Sequence, residues 1–202
     1  MGVITANLRQ RTREVVRLQV ADTAFELFVR NGYEQTTVDD IAAAAGISRR
    51  SFFRYFSGKE EVVLLRLREH EERMRETLGQ HSTDAGDWAA MRMALHVLAE
   101  RIDSEPETAR TLMRMLASSP VLVAAYRARQ SEWRSLFTYE LVKHLQDPPP
   151  ERLLAARARV AAALSCLEVA QIAWDGLDGG DHPQTFESVL DAALEAVRPR
   201  DA

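Results

Sequence analysis

The stretch TTVDDIAAAAGISRRSFFRYFSGK, residues Thr36 to Lys59, carries two short helical patterns separated by a turn and closed by a further cap. Thr37 with Asp40 three residues on has capping-box spacing, each side chain reaching the other's backbone N–H, so a helix starts at Val38. Ile41, Ala42 and Ala45 form its inner face, and the small alanines permit a close helix crossing. Gly46 stands where the chain must turn sharply, a place suited to the left-handed conformation. Ser48 can cap the next helix. Ser57 and Glu60 repeat the capping-box spacing, which starts a further helix at Gly58 or Lys59.

Between those caps, at about 100° per residue, Phe52 and Phe56 share one face and belong to the core. Arg50 and Arg54 point the other way, with Ser51 and Phe53 on the flanks. Arg49 lies nearer the boundary, yet at a helix N-terminus its long side chain still reaches a groove. Two short helices, a turn and an arginine-rich second helix are the layout of a helix-turn-helix unit, whose second helix enters the DNA major groove. Arginine suits that position because its fork donates to both O6 and N7 of guanine. Capped helix N-termini and Lys59 would serve phosphates. The plain alternative is a surface helix with solvated arginines.

Upstream, Val20, Ala24, Leu27 and Phe28 recur at helical spacing, and Asn31-Gly32 supplies a stop. The polar residues before Thr12 predict a frayed arm, with Arg9, Arg11 and Arg13 either along phosphates or simply solvated. The net charge of -4 divides unevenly. Residues 1–59 carry nine Arg/Lys against six Asp/Glu, and residues 60–202 carry seventeen against twenty-four. A basic module joined to an acidic body fits a phosphate-binding end on a larger protein.

Residues 32–62, GYEQTTVDDIAAAAGISRRSFFRYFSGKEEV, resemble the DNA-binding domain of the TetR family of bacterial transcriptional regulators. The shared features are the Gly-aromatic pair, the two threonines, Ile41-Ala42, Gly46-Ile47-Ser48, the aromatic run and Lys59; the match covers residues 15–62. The resemblance implies that Arg49 and Arg50 read bases, and that Thr37, Ser51, Tyr55 and Lys59 meet phosphates. The family usually has tyrosine where this chain has Phe53, and often histidine where it has Tyr55; Phe53 keeps an apolar contact with a thymine methyl. Ser48, Phe53 and Arg54 complete the DNA-facing set. The expected organisation is a DNA-binding domain over 1–58 and a ligand-binding and dimerisation domain over 59–202.

The rest of the chain predicts an all-α protein of about nine helices, with 46% apolar residues and few glycines or prolines. The single cysteine, Cys166, excludes a disulfide and reads as a buried hydrophobe. After the helix through Glu60 comes a break over Gly79 to Asp87, then helices over 88–102, 108–117 and from Ser119-Pro120 to Asp147. Helices over 151–177 and 183–198 follow, the second opened by Pro183, with Asp178 to Asp181 as the loop between them. The N-terminus has no signal-peptide core and no apolar run approaches membrane length, so a cytoplasmic protein without a membrane partner is expected.

Alanine is dense on the last two long helices. By the resemblance they pair with the same helices of a second subunit, through Leu154, Ala158, Ala161, Ala162, Ser165 and Val169, with Phe186 and Leu190 on the last helix. Alanine filling a core within one chain is the alternative. The resemblance also implies a ligand pocket, for which Trp88, Met91, Met113, Trp133, Phe137 and Trp174 are candidates as adaptable apolar walls. The segments SEWRSLF and AQIAWDGLDGG resemble regulators of acyl-CoA-like ligands. An effector would then be acyl-CoA-like or aromatic, with any anionic end near Arg110, Arg114 or Arg134. The reading is a homodimeric repressor on a near-palindromic double-stranded DNA operator; a ligand-independent regulator and a cofactor-dependent helical enzyme are the alternatives. No catalytic, metal or cofactor motif is present, and His96 with Glu100 at i, i+4 reads as a structural pair.

Overall fold

The computed structural model describes residues 2–82, 86–174, 176 and 185–198, with the backbone alone for 2–12, 66 and 69. Regular structure among these residues is helical throughout: α1 (Gly2–Asn31), α2 (Val38–Ala44), α3 (Arg49–Tyr55), α4 (Lys59–His81), α5 (Asp87–Ser104), α6 (Pro106–Ser118), α7 (Pro120–Val142), α8 (Pro150–Trp174) and α9 (Phe186–Ala196). The expected arm before Thr12 is helical from Gly2. Its alanine, leucine, arginine and glutamine are good helix formers, so its polarity does not mean loss of helix. The loop expected over Asp178 to Asp181, and Pro183, lie outside the described residues.

The chain forms two compact units, Met1–Arg68 with Ala117–Ala125, and Glu69–Leu116 with Tyr126–Ala202. In the first, α1 packs on α2 and α2 on α3. Its core holds Val20, Ala24, Phe25, Phe28, Ile41, Phe52, Phe56 and Val62. Phe25 is buried whereas the expected Leu27 is only half-buried. Gly32, at φ 86°, ends α1 by turning the chain into the left-handed region that glycine enters without strain.

In the second unit α5, α8 and α9 pack on one another. Trp88, Met91, Leu95, Leu98 and Ile102 of α5 meet a core shared with Val160, Leu164, Leu167 and Ala170 of α8 and Phe186, Leu190 and Leu194 of α9. Polar ties set the register. Asp87 is buried and accepts from Arg152 Nη2 at 2.6 Å and Arg159 Nη1 at 2.9 Å. Asp103 of α5 accepts from the backbone N–H groups of Phe186 at 2.7 Å and Glu187 at 3.0 Å, satisfying orphan donors at the start of α9. Thr185 is the N-cap there, and α9 begins at Phe186. His96 pairs with Asp191 at 2.7 Å and Glu187 at 3.4 Å on α9, rather than with Glu100. Within the same unit Trp133 of α7 donates its indole N–H to Glu71 of α4 at 2.8 Å, and Arg75 donates to the buried Glu140 at 2.8 Å.

Candidate nucleic-acid interface

Caps build the helix pair. Thr37 Oγ1 accepts from Asp40 N at 3.1 Å, and Asp40 Oδ2 accepts from Thr37 N at 2.8 Å, closing the capping box. The Thr37 hydroxyl, which also donates to Asp40 Oδ2 at 2.6 Å, and then the Thr37 backbone N–H hold the Asp40 carboxyl below the usual carboxylate range. Gly46 takes φ 66°, and Ile47 N–H returns to Ala42 O at 2.9 Å, which turns the chain out of α2. Ser48 then caps α3, accepting from Ser51 N at 3.1 Å. The hydroxyls of Ser48 and Ser51 also bond at 3.0 Å.

With its start defined, α3 divides as its sequence period requires. Phe52 and Phe56 are buried at 0% and 2%, whereas Phe53 is 47% exposed. Arg49, Arg50 and Arg54 are exposed, and Ser51 and Tyr55 half-buried. Arg49 Nη1 donates to Asp39 Oδ2 of α2 at 2.7 Å, and its guanidinium lies 5.5 Å from the Phe53 ring centroid. Arg54 stacks on Tyr55 at 5.1 Å and donates to its hydroxyl at 3.2 Å. Arg13 Nη2 donates to Arg54 O at 2.8 Å, fastening α1 to the end of α3.

Lys59 is held within its own unit. Its ammonium donates to the carbonyls of Tyr33 at 2.8 Å, Thr36 at 3.3 Å and Glu34 at 3.4 Å, and sits 4.2 Å from the Tyr33 ring centroid. An ammonium has three N–H donors, so these carbonyls occupy them all. Glu60 is also redirected. It accepts from Tyr33 OH at 3.1 Å, and Ser57 is capped by Glu61 instead, through its N–H at 2.8 Å and its hydroxyl at 2.9 Å. Burial and the Glu60 carboxylate together raise the Tyr33 hydroxyl well above its ordinary value. Burial would raise Glu61 as well, but the Ser57 bonds and the charges of Arg17 and Arg68 outweigh it and hold that carboxyl low. Arg17 reaches Glu61 at 2.9 Å and lies 5.3 Å from the Phe56 ring centroid. Asp39 and Glu61 went unassigned in the sequence, and Arg13 and Arg17 had no partner there, because only the fold brings their partners near.

In the second unit the expected α8 face stands open. Leu154 is 69% and Val169 59% exposed; Ala158 and Ser165 are exposed, and Ala161 and Ala162 half-buried. Phe186 and Leu190 are at 0%, with Phe186 edge-on to Trp174 at 5.5 Å, so they fill this chain's own core and offer nothing to a second copy. Of the expected pocket residues, Trp88, Met91, Trp133, Phe137 and Trp174 are buried and Met113 is half-buried. Arg110 lies 4.3 Å over the Trp174 ring, and its Nε is buried without a hydrogen-bond partner among the described residues. Arg114 and Arg134 are exposed. Cys166 is buried, and burial raises its thiol above its ordinary value. Among the described residues no helix is long and apolar enough to cross a membrane.

The caps, the glycine turn and the arginine-bearing α3 make the N-terminal unit a helix-turn-helix domain. Residues 20–65 match the family described as bacterial regulatory proteins, tetR family. This N-terminal segment is therefore similar to the DNA-binding domain of that family. It is 35% identical over 131 residues to the HTH-type transcriptional regulator TcmR of Streptomyces glaucescens, covering 62% of this chain and 58% of that protein. It is 31% identical over 126 residues to the putative mycofactocin biosynthesis transcriptional regulator MftR of Mycobacterium tuberculosis, covering 62% and 64%. The chain thus spans about three fifths of the length of these two relatives. Both are named as transcriptional regulators and not as enzymes. The fold is shared with the Thermus thermophilus FadR structure in complex with lauroyl-CoA (TM-score 0.57, 24% identity, 92% of this chain and 98% of that one). It is also shared with a TetR-family regulator from Syntrophomonas wolfei (TM-score 0.64, 16% identity, 91% and 93%).

Proposed function

We propose that this protein is a homodimeric DNA-binding repressor, released from a near-palindromic operator by a small, largely apolar effector. The observation that carries the reading is α3: a capped helix anchored by Phe52 and Phe56 that presents Arg49, Arg50 and Arg54 outward. Arg49 and Arg50 read base edges in the major groove. Thr37, Ser48, Ser51, Arg54 and Tyr55 position the helix on phosphates, and Phe53 supplies apolar surface. Residues 1–58 form the reading domain and residues 59–202 the sensing and pairing domain.

The exposed α8 face supports pairing, because a stripe of small residues flanked by bare Leu154 and Val169 suits close helix contact. Arg110 supports an effector with an anionic end. A guanidinium stacked on a buried tryptophan, with a buried N–H lacking a partner among the described residues, gains from a carboxylate or phosphate. The neighbouring fold solved with lauroyl-CoA points to the same chemistry. Effector binding shifts the dimer toward a conformation in which the two α3 helices no longer reach successive grooves, ~34–36 Å apart.

Selection of bound sequences from a random DNA pool tests the reading. A two-fold symmetric site is expected, and recovery of no preferred sequence overturns it. Adding lauroyl-CoA should quench tryptophan fluorescence and release the selected DNA, and Arg110→Gln should weaken both effects. If lauroyl-CoA changes neither signal, the effector part fails while DNA binding stands.

A further inference from the structure

Arg49 opens α3, and its guanidinium is held from two sides. Nη1 donates to Asp39 Oδ2 of α2 at 2.7 Å, and the guanidinium carbon lies 5.5 Å from the Phe53 ring centroid. Phe53 is an outward ring with an inward anchor. It meets Phe52 edge-to-face at 5.5 Å and 88°, and Phe52 is buried at 0%. A continuous line of contacts therefore runs from core phenylalanine to surface phenylalanine, to arginine, to carboxylate.

The ion pair itself adds little to fold stability. The Arg49 and Asp39 side chains are 60% and 64% exposed, a setting in which ion pairs contribute little. Asp39 is not the cap of α2 either, since Asp40 makes the capping box. A carboxylate on a face that meets phosphates repels them, so its placement there has a cost in affinity that something else must offset.

We infer that Asp39 and Phe53 are positioning residues that aim Arg49 at one guanine in each half-site, and so set sequence specificity. The inference rests on the reading of α3 as the base-contacting helix. A free arginine surrenders rotamer freedom when it docks; one already clamped between a ring and a carboxylate surrenders less. With Nη1 on Asp39, the Nη2–Nε edge remains to donate to O6 and N7 together, the geometry that distinguishes guanine. The aromatic face is the useful part of residue 53, which explains how the position works without a hydroxyl. Asp39 then trades general affinity for discrimination.

Full-length protein and variants are titrated by fluorescence anisotropy against the selected operator, against operators with each half-site guanine pair replaced in turn, and against random-sequence DNA. Arg49→Ala marks the base pair that Arg49 reads. At that pair Asp39→Ala and Phe53→Leu should each reduce discrimination about tenfold, with other positions unchanged. Asp39→Ala should also bind random DNA at least as tightly as the unaltered protein, because a repelling charge is gone. A purely structural role would instead weaken every sequence together. Phe53→Tyr, which keeps the ring, should retain the discrimination that Phe53→Leu loses. The inference is overturned if both Asp39→Ala and Phe53→Leu discriminate normally, or if Arg49→Ala marks no base pair; DNA binding then still stands. A protein with no preference for any sequence overturns the inference and the DNA-reading assignment together.

Discussion

Lys59 illustrates how one side chain changes meaning between sequence and fold. At the start of α4, beside a presumed phosphate site, it reads as a phosphate contact. In the folded unit it ties the N-terminus of α4 to the carbonyls of the α1–α2 connection and to the Tyr33 ring. Hydrogen bonds from a charged donor contribute about 1.5–3 kcal/mol. Lys59→Ala should therefore lower unfolding stability by about 1–2 kcal/mol in urea titrations. The slope of log affinity against log salt should stay unchanged, because no phosphate contact is lost. A slope reduced by about one, with stability intact, would return Lys59 to the phosphates.

Glu61 makes the same point with a pH signature. Its carboxyl is lowered in the folded chain despite burial, so it contributes stability that is fully present above the ordinary carboxylate range. That contribution is lost as pH falls through the depressed folded value. Glu61→Gln should flatten the decline of the urea midpoint between about pH 5 and about pH 2, and an unaltered profile would remove Glu61 from the account.

At the scale of elements, α8 and α9 differ in what their apolar residues do. Both helices look suited to an interface, but α9 turns Phe186, Leu190 and Leu194 inward, where Asp103 and Thr185 secure its first turn. Removing a fully buried phenylalanine costs about 3–5 kcal/mol through lost burial and the cavity left behind. Phe186→Ala should show a loss of that size in denaturant unfolding; a loss below ~1 kcal/mol would mean that the ring is not core. The wheel of α3 was legible beforehand because a short helix with a defined start has only one way to face its aromatics inward. The wheel of α9 was not, since an alanine-rich helix offers two plausible faces and its neighbours choose between them.

At the scale of the whole molecule, the function proposed requires two copies. Leu154 and Val169 lie on the outside of α8, away from the α5 and α9 packing of their own chain. A glutamate there places a charge opposite its own symmetry mate in an isologous interface. Val169→Glu should convert the protein to a monomer in sedimentation equilibrium at micromolar concentration. Operator affinity should fall steeply, because one recognition helix alone reads only a half-site. A wild-type protein that sediments as a monomer would remove the dimer altogether.

What this sequence determined by itself is local: the Thr37–Asp40 box, the Gly46 turn, the Ser48 cap and the inward Phe52 and Phe56 all follow from spacing within a few residues. Such features depend on one helix's geometry, which the chain carries without help. The tertiary structure decided which of several nearby acceptors or faces is used. It chose Glu61 over Glu60 for Ser57, carbonyls over solvent for Lys59, α9 carboxylates over Glu100 for His96, and the core over a partner for Phe186 and Leu190. It also brought Asp39 against Arg49 across the turn. Those choices compete at similar local energy, so only contacts between distant segments can separate them.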